Sequence, residues 1–148
     1  LWRLIEGSFS CCAVKPGERL TIPDHRLILV PTRDEREAYY LAGLLNSAPA
    51  VFLINSFSIG TQMAPHLLSN VSLPRFSSKD KTHCHLCQLS KQCHSAAAGG
   101  NSDTVARLES HIDKVSANLW GITDAELKAI QYALKDTTRA KRRAKKGP

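Results

Sequence analysis

The chain has 148 residues, 43% of them hydrophobic, five cysteines and a net charge of +7 at neutral pH. This length is typical of one domain or two small lobes, and the composition excludes a globally disordered or collagen-like chain. No apolar run reaches the ~18–20 residues that cross a bilayer, so we predict no membrane contact. The odd cysteine count is typical of a reducing compartment and predicts a cytoplasmic protein. Because Leu1 falls in what reads as the middle of a domain, we expect a piece of a longer protein.

The positive charge is concentrated at the end of the chain. Residues 135–148 contain seven basic residues and one acidic residue, whereas residues 1–134 contain 13 basic and 12 acidic residues. A basic segment is the electrostatic signature of phosphate binding, although a solvated terminus has the same composition. We predict a basic disordered tail over residues 137–148.

The first 76 residues combine predicted strands with predicted helices. Residues 27–30 are an apolar run between two prolines, and residues 71–74 (Val-Ser-Leu-Pro) are typical of a short closing strand, so both are predicted strands. Between them, a capping box at Thr32-x-x-Glu35 and a Ser-Ala-Pro sequence from residue 47 predict the starts of two helices. We therefore predict an α+β fold, in which residues 1–76 form a small mixed α/β lobe.

The second part of the chain has helical apolar spacing. Two apolar stripes are separated by a Gly-Gly-Asn turn: Leu86, Leu89, Cys93 and Ala97, then Val105, Leu108, Ile112, Val115 and Leu119. Their spacings of three and four predict two helices that pair antiparallel across the short turn. Gly121 ends the second helix, and a capping box at Thr123-x-x-Glu126 begins a third. Residues 77–136 are thus predicted to form a helical hairpin and a third helix.

A cluster of cysteines and histidines lies in the first of these helices. The candidate ligands for a tetrahedral Zn²⁺ are Cys84, Cys87, Cys93 and His94. No turn separates them, and Cys93 falls on the apolar stripe, where a thiol behaves as a small apolar side chain. We therefore predict no metal site, and a small zinc-stabilised domain stays an alternative.

The chain contains no recognisable catalytic motif. It has no phosphate-binding glycine loop, no paired-carboxylate motif and no nucleophile elbow, so we predict that it is non-catalytic and binds no cofactor by itself. Around Gly60, small hydrogen-bonding side chains lie in a predicted loop, and such side chains suit contact with phosphates or base edges.

The order of several segments resembles a family of DNA target-recognition domains. The segments are YYLAGLLNS from residue 39, SIGTQ from 58, VSLPRF from 71, LCQLSKQCH from 86 and LESHIDKVSANLWGITDAELKAI from 108. They are similar to specificity subunits of type I restriction systems and to the C-terminal specificity regions of restriction–modification adenine-specific DNA methyltransferases, some of which are fused to an endonuclease. The resemblance covers roughly residues 9–134, and the HCHLC sequence departs from it.

The resemblance implies that the chain reads double-stranded DNA for a methyltransferase domain upstream in the same polypeptide, with residues 1–76 as the recognition lobe. That domain would bind S-adenosylmethionine and flip an adenine into an Asn-Pro-Pro-Tyr pocket, a tetrapeptide that this chain lacks. The candidate DNA contacts are Arg26, Arg33, Arg36, Ser58, Thr61, Gln62 and Arg75. Arginine offers bidentate bonds to guanine or phosphate, and Gln62 could pair with adenine. The alternative is a helical protein–protein docking module that does not touch DNA, which the near-neutral charge of residues 1–134 favours.

Overall fold

The computed structural model describes residues 2–3, 9–15, 17, 27–32, 34–57 and 65–145. The helices within them are α1 (Glu35–Asn46), α2 (Ala48–Phe57), α3 (Lys81–Ala98), α4 (Ser102–Leu119) and α5 (Asp124–Lys145), with a 3₁₀ helix at Pro65–Asn70. Two short strands, β1 (Trp2–Arg3) and β2 (Leu27–Ile28), pair antiparallel, with Trp2 opposite Ile28.

The predicted α+β fold is wrong, because the described residues are mostly helical. The predicted strand over residues 27–30 shrinks to the two residues of β2, and Leu29 and Val30 are about half exposed. The predicted strand over residues 71–74 is absent from this part of the chain. An extended apolar segment becomes a strand only when a neighbouring strand supplies ladder hydrogen bonds.

Within residues 71–76, two backbone carbonyl oxygens accept hydrogen bonds from side chains and not from a neighbouring strand. The indole N–H of Trp120, the residue after α4, donates to the carbonyl oxygen of Ser72 (2.8 Å). The hydroxyl of Tyr40 in α1 donates to the carbonyl oxygen of Pro74 (2.9 Å). The segment is therefore an extended strap across the helices.

The starts of α1 and α2 differ from the predicted caps. Asp34, not Thr32, is the N-cap of α1, and its carboxylate accepts the backbone N–H of Arg36 (2.9 Å). The predicted capping box is wrong, because it places the N-cap two residues too early. The end of α1 at Asn46 is as predicted. The Ser47 hydroxyl donates back to the carbonyl oxygen of Leu44, so it does not cap α2.

The two helices α3 and α4 form a hairpin consistent with the sequence prediction. Asp80 caps α3, and Gly100 adopts a φ of 70° in the turn before α4. After α4, Gly121 has a φ of 67°, a conformation that glycine adopts without strain. The capping box predicted for α5 is confirmed, since Glu126 accepts the Thr123 backbone N–H and the Thr123 hydroxyl oxygen accepts the Glu126 N–H.

The last helix is longer than predicted. We predicted a disordered tail from residue 137, but α5 continues to Lys145, and only residues 146–148 of that segment lie outside the described residues. Helix α5 therefore includes six of the seven basic residues of the segment 135–148.

The predicted recognition lobe and the predicted hairpin share one core. The largest cluster contains Tyr39, Tyr40 and Leu44 of α1, Leu86, Cys87 and Leu89 of α3, and Leu108 and Ile112 of α4. A second cluster joins Phe9, Leu45, Ile54 and Val71, and a third joins Ala48, Ala117 and Leu127, where α2, α4 and α5 meet. Burial of these side chains is the main force that holds the helices together.

The helices were also compared with the requirements of a membrane span. Among the described residues, no single helix is both long and apolar enough to cross a membrane. Helices α1 and α2 satisfy the length and composition only as a pair, and they meet at an angle of 67°.

Candidate nucleic-acid interface

Two of the seven candidate DNA contacts belong to the described residues. They are Arg36 and Arg75, and both are exposed. The other five, Arg26, Arg33, Ser58, Thr61 and Gln62, lie outside the described residues. The structure therefore places two of the candidates and leaves the Gly60 loop as a sequence prediction.

Arg36 lies in the first turn of α1 and is held by its neighbour. Its Nη2 atom is 3.4 Å from Oδ2 of Asp34, whose other oxygen accepts the Arg36 backbone N–H. The Arg36 side chain is 58% exposed in this ion pair, so its remaining donors face solvent. A phosphate could bind there only beside the Asp34 carboxylate, which lowers the local positive charge.

Arg75 is presented by the strap over residues 71–76. Pro74, the residue before it, is fixed by the Tyr40 hydroxyl, and the Tyr40 ring contacts Phe76 and His83 with centroid separations of 5.4 and 4.8 Å. Burial raises the pKa of Tyr40 to about 12, so the hydroxyl keeps its proton at physiological pH. The backbone on both sides of Arg75 is thus anchored while its side chain is exposed. Rigid support of this kind suits a contact residue.

The beginning of α3 completes this anchor. The backbone N–H of Ser77 donates to Nδ1 of His83 (3.2 Å), which is a buried residue. The Asp80 carboxylate accepts the backbone N–H groups of Thr82 and His83, and these bonds lower the pKa of Asp80. The Ser77–His83 hydrogen bond and the Asp80 cap therefore connect the end of the strap to the start of α3.

The four candidate zinc ligands have other partners in the fold. The Cys84 thiol donates to the carbonyl oxygen of Ser78, while Cys87 is buried in the core, where desolvation raises its thiol pKa. Cys93 packs against the same core. His94 uses both ring nitrogens, since Nδ1 lies 2.7 Å from the Ser90 carbonyl oxygen and Nε2 accepts the Ala13 N–H. Within the described residues, no three His, Cys, Asp or Glu side chains form a metal-binding group.

Sequence analysis missed an exposed face of α5. The buried side of this helix is formed by Leu127, with Ile130 and Leu134 packed beside it. On an adjoining side of the helix, spacings of four, three, four and three residues connect five positions, which we call the α5 outer face: Lys128, Tyr132, Lys135, Arg139 and Arg142. Lys128 and Lys135 are exposed, and Tyr132 is 68% exposed. The spacing is visible in the sequence, and its last two positions belong to the face because α5 continues past residue 136.

The chain was compared with protein-family models, curated proteins and solved structures, and none of the three comparisons finds a match.

Proposed function

We propose that the chain binds double-stranded DNA and supplies sequence recognition to a restriction–modification adenine-N6 DNA methyltransferase, without catalysing a reaction itself. The order of segments that resembles target-recognition domains supports this proposal. In this arrangement, S-adenosylmethionine binds to the upstream methyltransferase domain, and that domain is the second partner of the chain.

The observation that carries the proposal is the continuation of α5 to Lys145. Residues 135–145 include six basic residues and one acidic residue. A disordered tail would lose backbone conformational entropy on binding, whereas a helix has its backbone already ordered and loses less. Basic residues that neutralise phosphates release counterions from DNA, which favours binding.

Affinity and specificity are expected to come from different residues. Contacts to phosphates position a protein on DNA, and contacts to base edges read the sequence. Arg75 on its anchored strap and Gln62 in the Gly60 loop are the proposed base readers, because arginine pairs with guanine and glutamine pairs with adenine. Arg36, which is already paired with Asp34, is the proposed phosphate contact.

The test is selection of the full chain on a randomised pool of duplexes at ~50 and ~200 mM salt, because non-specific binding weakens steeply over this range. We expect particular sequences to be enriched and to stay enriched at the higher salt. Gln62→Ala should change which sequences are enriched, whereas Arg36→Ala should weaken binding to all sequences about equally. Arg107→Ala, which removes an exposed arginine of α4, is the matched control and should leave both properties unchanged.

Two results would contradict the proposal. A chain that binds duplexes at low salt but enriches no sequence is not a sequence reader. A chain that binds no duplex at either salt concentration does not bind DNA.

A specific observation favours a second candidate function, a helical docking module for another protein. Residues 1–134 carry 13 basic and 12 acidic residues, a balance that is unusual for a DNA reader. In addition, Phe52 and Phe57 of α2 are 38% and 49% exposed. Exposed aromatic side chains are typical of protein interfaces. This candidate takes first place if the selection enriches nothing.

A further inference from the structure

The α5 outer face consists of four basic helix positions and one tyrosine, and its described side chains, Lys128, Tyr132 and Lys135, are exposed. Its first and last members, Lys128 and Arg142, are 14 positions apart on the helix. At about 1.5 Å of rise per residue, the face is roughly 21 Å long. Four of its five positions are basic and none is acidic.

The described cations of this face have no partner within the part of the chain that the structure describes. Lys128 and Lys135 take part in no ion pair there, whereas Lys15 and Lys91 at another surface share the Glu35 carboxylate at 2.8 and 3.3 Å. Two acidic residues of α5 border the face, because Asp124 lies four positions before Lys128 and Asp136 lies four positions after Tyr132. Within the described residues, neither aspartate forms an ion pair with Lys128 or Lys135.

The apolar side of α5 limits which polyanion the helix can approach. A basic helix that binds anionic membranes inserts an apolar face between lipid headgroups. Here Leu127 is 4% exposed, and Ile130 and Leu134 pack against the cluster that α5 shares with α2 and α4. The apolar side is therefore occupied within the fold, and only the polar side is available to a partner.

Duplex DNA fits the charge and length of the remaining face. It carries one negative charge per roughly 1.7 Å, so about a dozen phosphate charges lie along a ~21 Å stretch. Lysine and arginine pair with phosphate oxygens, and a tyrosine hydroxyl can donate to one. We infer that the α5 outer face is the surface that binds the phosphate backbone of double-stranded DNA, independently of sequence. This inference rests on the proposed DNA function and assigns part of its affinity to one face.

The test measures binding of the full chain to a duplex of arbitrary sequence as a function of salt. The variant is Lys128→Gln with Lys135→Gln, and the control is Arg107→Gln with Lys114→Gln, an exposed pair with the same spacing of seven on α4. Because each lost phosphate contact reduces the slope of log K against log salt by about 0.9, the α5 variant should reduce it by about 1.8. The control should keep the slope of the unchanged chain. Lys128→Arg with Lys135→Arg should also keep it, because charge is retained.

The outcomes separate this inference from the proposed function. If the unchanged chain binds duplexes and the α5 variant behaves like the control, the inference is wrong and DNA binding is located elsewhere. If the unchanged chain binds no duplex, both the proposed DNA function and the inference about the α5 outer face are wrong. Vesicles with ~30% anionic lipid are the second probe, and vesicle binding as strong as duplex binding would overturn the assignment to DNA. Far-ultraviolet circular dichroism and melting of all variants should match the unchanged chain, since the substituted side chains are exposed.

Discussion

At the residue scale, Asp113 connects three helices. One carboxylate oxygen accepts the backbone N–H of Ala48 at the start of α2 (2.7 Å), and the other accepts the side-chain amide of Gln131 in α5 (2.7 Å). An aspartate that caps a helix usually precedes it in sequence. Here the capping carboxylate comes from α4, 65 residues away in sequence. Ser47, the residue before α2, does not supply the cap because its hydroxyl donates to the Leu44 carbonyl oxygen of α1.

We expect Asp113→Ala to lower the free energy of unfolding by about 1–3 kcal/mol, because hydrogen bonds to a charged acceptor are lost at two helices. Urea unfolding measures this change. Lys114→Ala, at the exposed neighbouring position, should change stability by less than ~0.5 kcal/mol. Equal effects of the two substitutions would show that the Asp113 bonds contribute nothing.

The capping carboxylate of Asp80 predicts a pH dependence. The backbone N–H groups of His83 and Thr82 lower the pKa of Asp80 in the folded state. The folded state therefore binds the proton less readily than the unfolded state, so this stabilisation is present above pH ~4 and is lost as the pH falls through the lowered pKa. Asp80→Asn keeps an acceptor but not the charge. Between pH 6 and 3, the free energy of unfolding should therefore fall less steeply for Asp80→Asn than for the unchanged chain. Parallel curves would contradict this explanation.

At the element scale, the crossing of α1 and α3 determines how the two predicted parts of the chain join. Gly43 of α1 faces α3 so closely that an added Cβ would lie 3.0 Å from Cβ of Ser90. The Tyr39 and Tyr40 rings contact His94 and His83 on either side of this crossing. Glycine at position 43 thus permits the close packing that places the strap and Arg75.

We expect Gly43→Ala to destabilise the fold by about 1–3 kcal/mol, because overpacking at the crossing outweighs the ~1 kcal/mol that alanine gains in helix propensity. Gly99→Ala is the control, since its added Cβ would lie at an ordinary 3.6 Å from the nearest atoms. Thermal or urea unfolding of both variants tests the prediction. A Gly43→Ala variant as stable as the Gly99→Ala variant would mean that the helices can separate at little cost.

At the scale of the whole molecule, packing of the helices buries the described core. The three core clusters together include residues from every helix of this part of the chain. Cys87 is part of the largest cluster, and Cys93 packs against it, so both contribute apolar contacts.

We therefore expect the purified chain to contain no stoichiometric zinc, and chelators to leave its melting temperature unchanged. A structural zinc site contributes folding free energy directly, so its removal would unfold the protein. Elemental analysis and melting with and without EDTA provide the measurement. One equivalent of bound zinc, with unfolding on chelation, would restore the zinc-stabilised alternative.

Much of the helical part was determined by local sequence. The hairpin turn, the glycine after α4 and the Thr123–Glu126 capping box act within a few residues, so their sequence patterns are sufficient to predict them. The candidate DNA contacts were also chosen from local patterns, and exposure of Arg36 and Arg75 agrees with a surface role without testing their function.

Tertiary structure decided the features that depend on distant partners. Residues 71–74 have the composition of a strand, but Tyr40 and Trp120 bond their backbone, because an extended segment takes whichever hydrogen-bond partner the fold brings to it. The start of α2 depends on Asp113 for the same reason. The last two positions of the α5 outer face depend on the continuation of the helix past residue 136, which the basic composition alone does not reveal. Local patterns specify caps and periodicity, whereas the partners of backbone groups and the exposed side of a helix are set by packing.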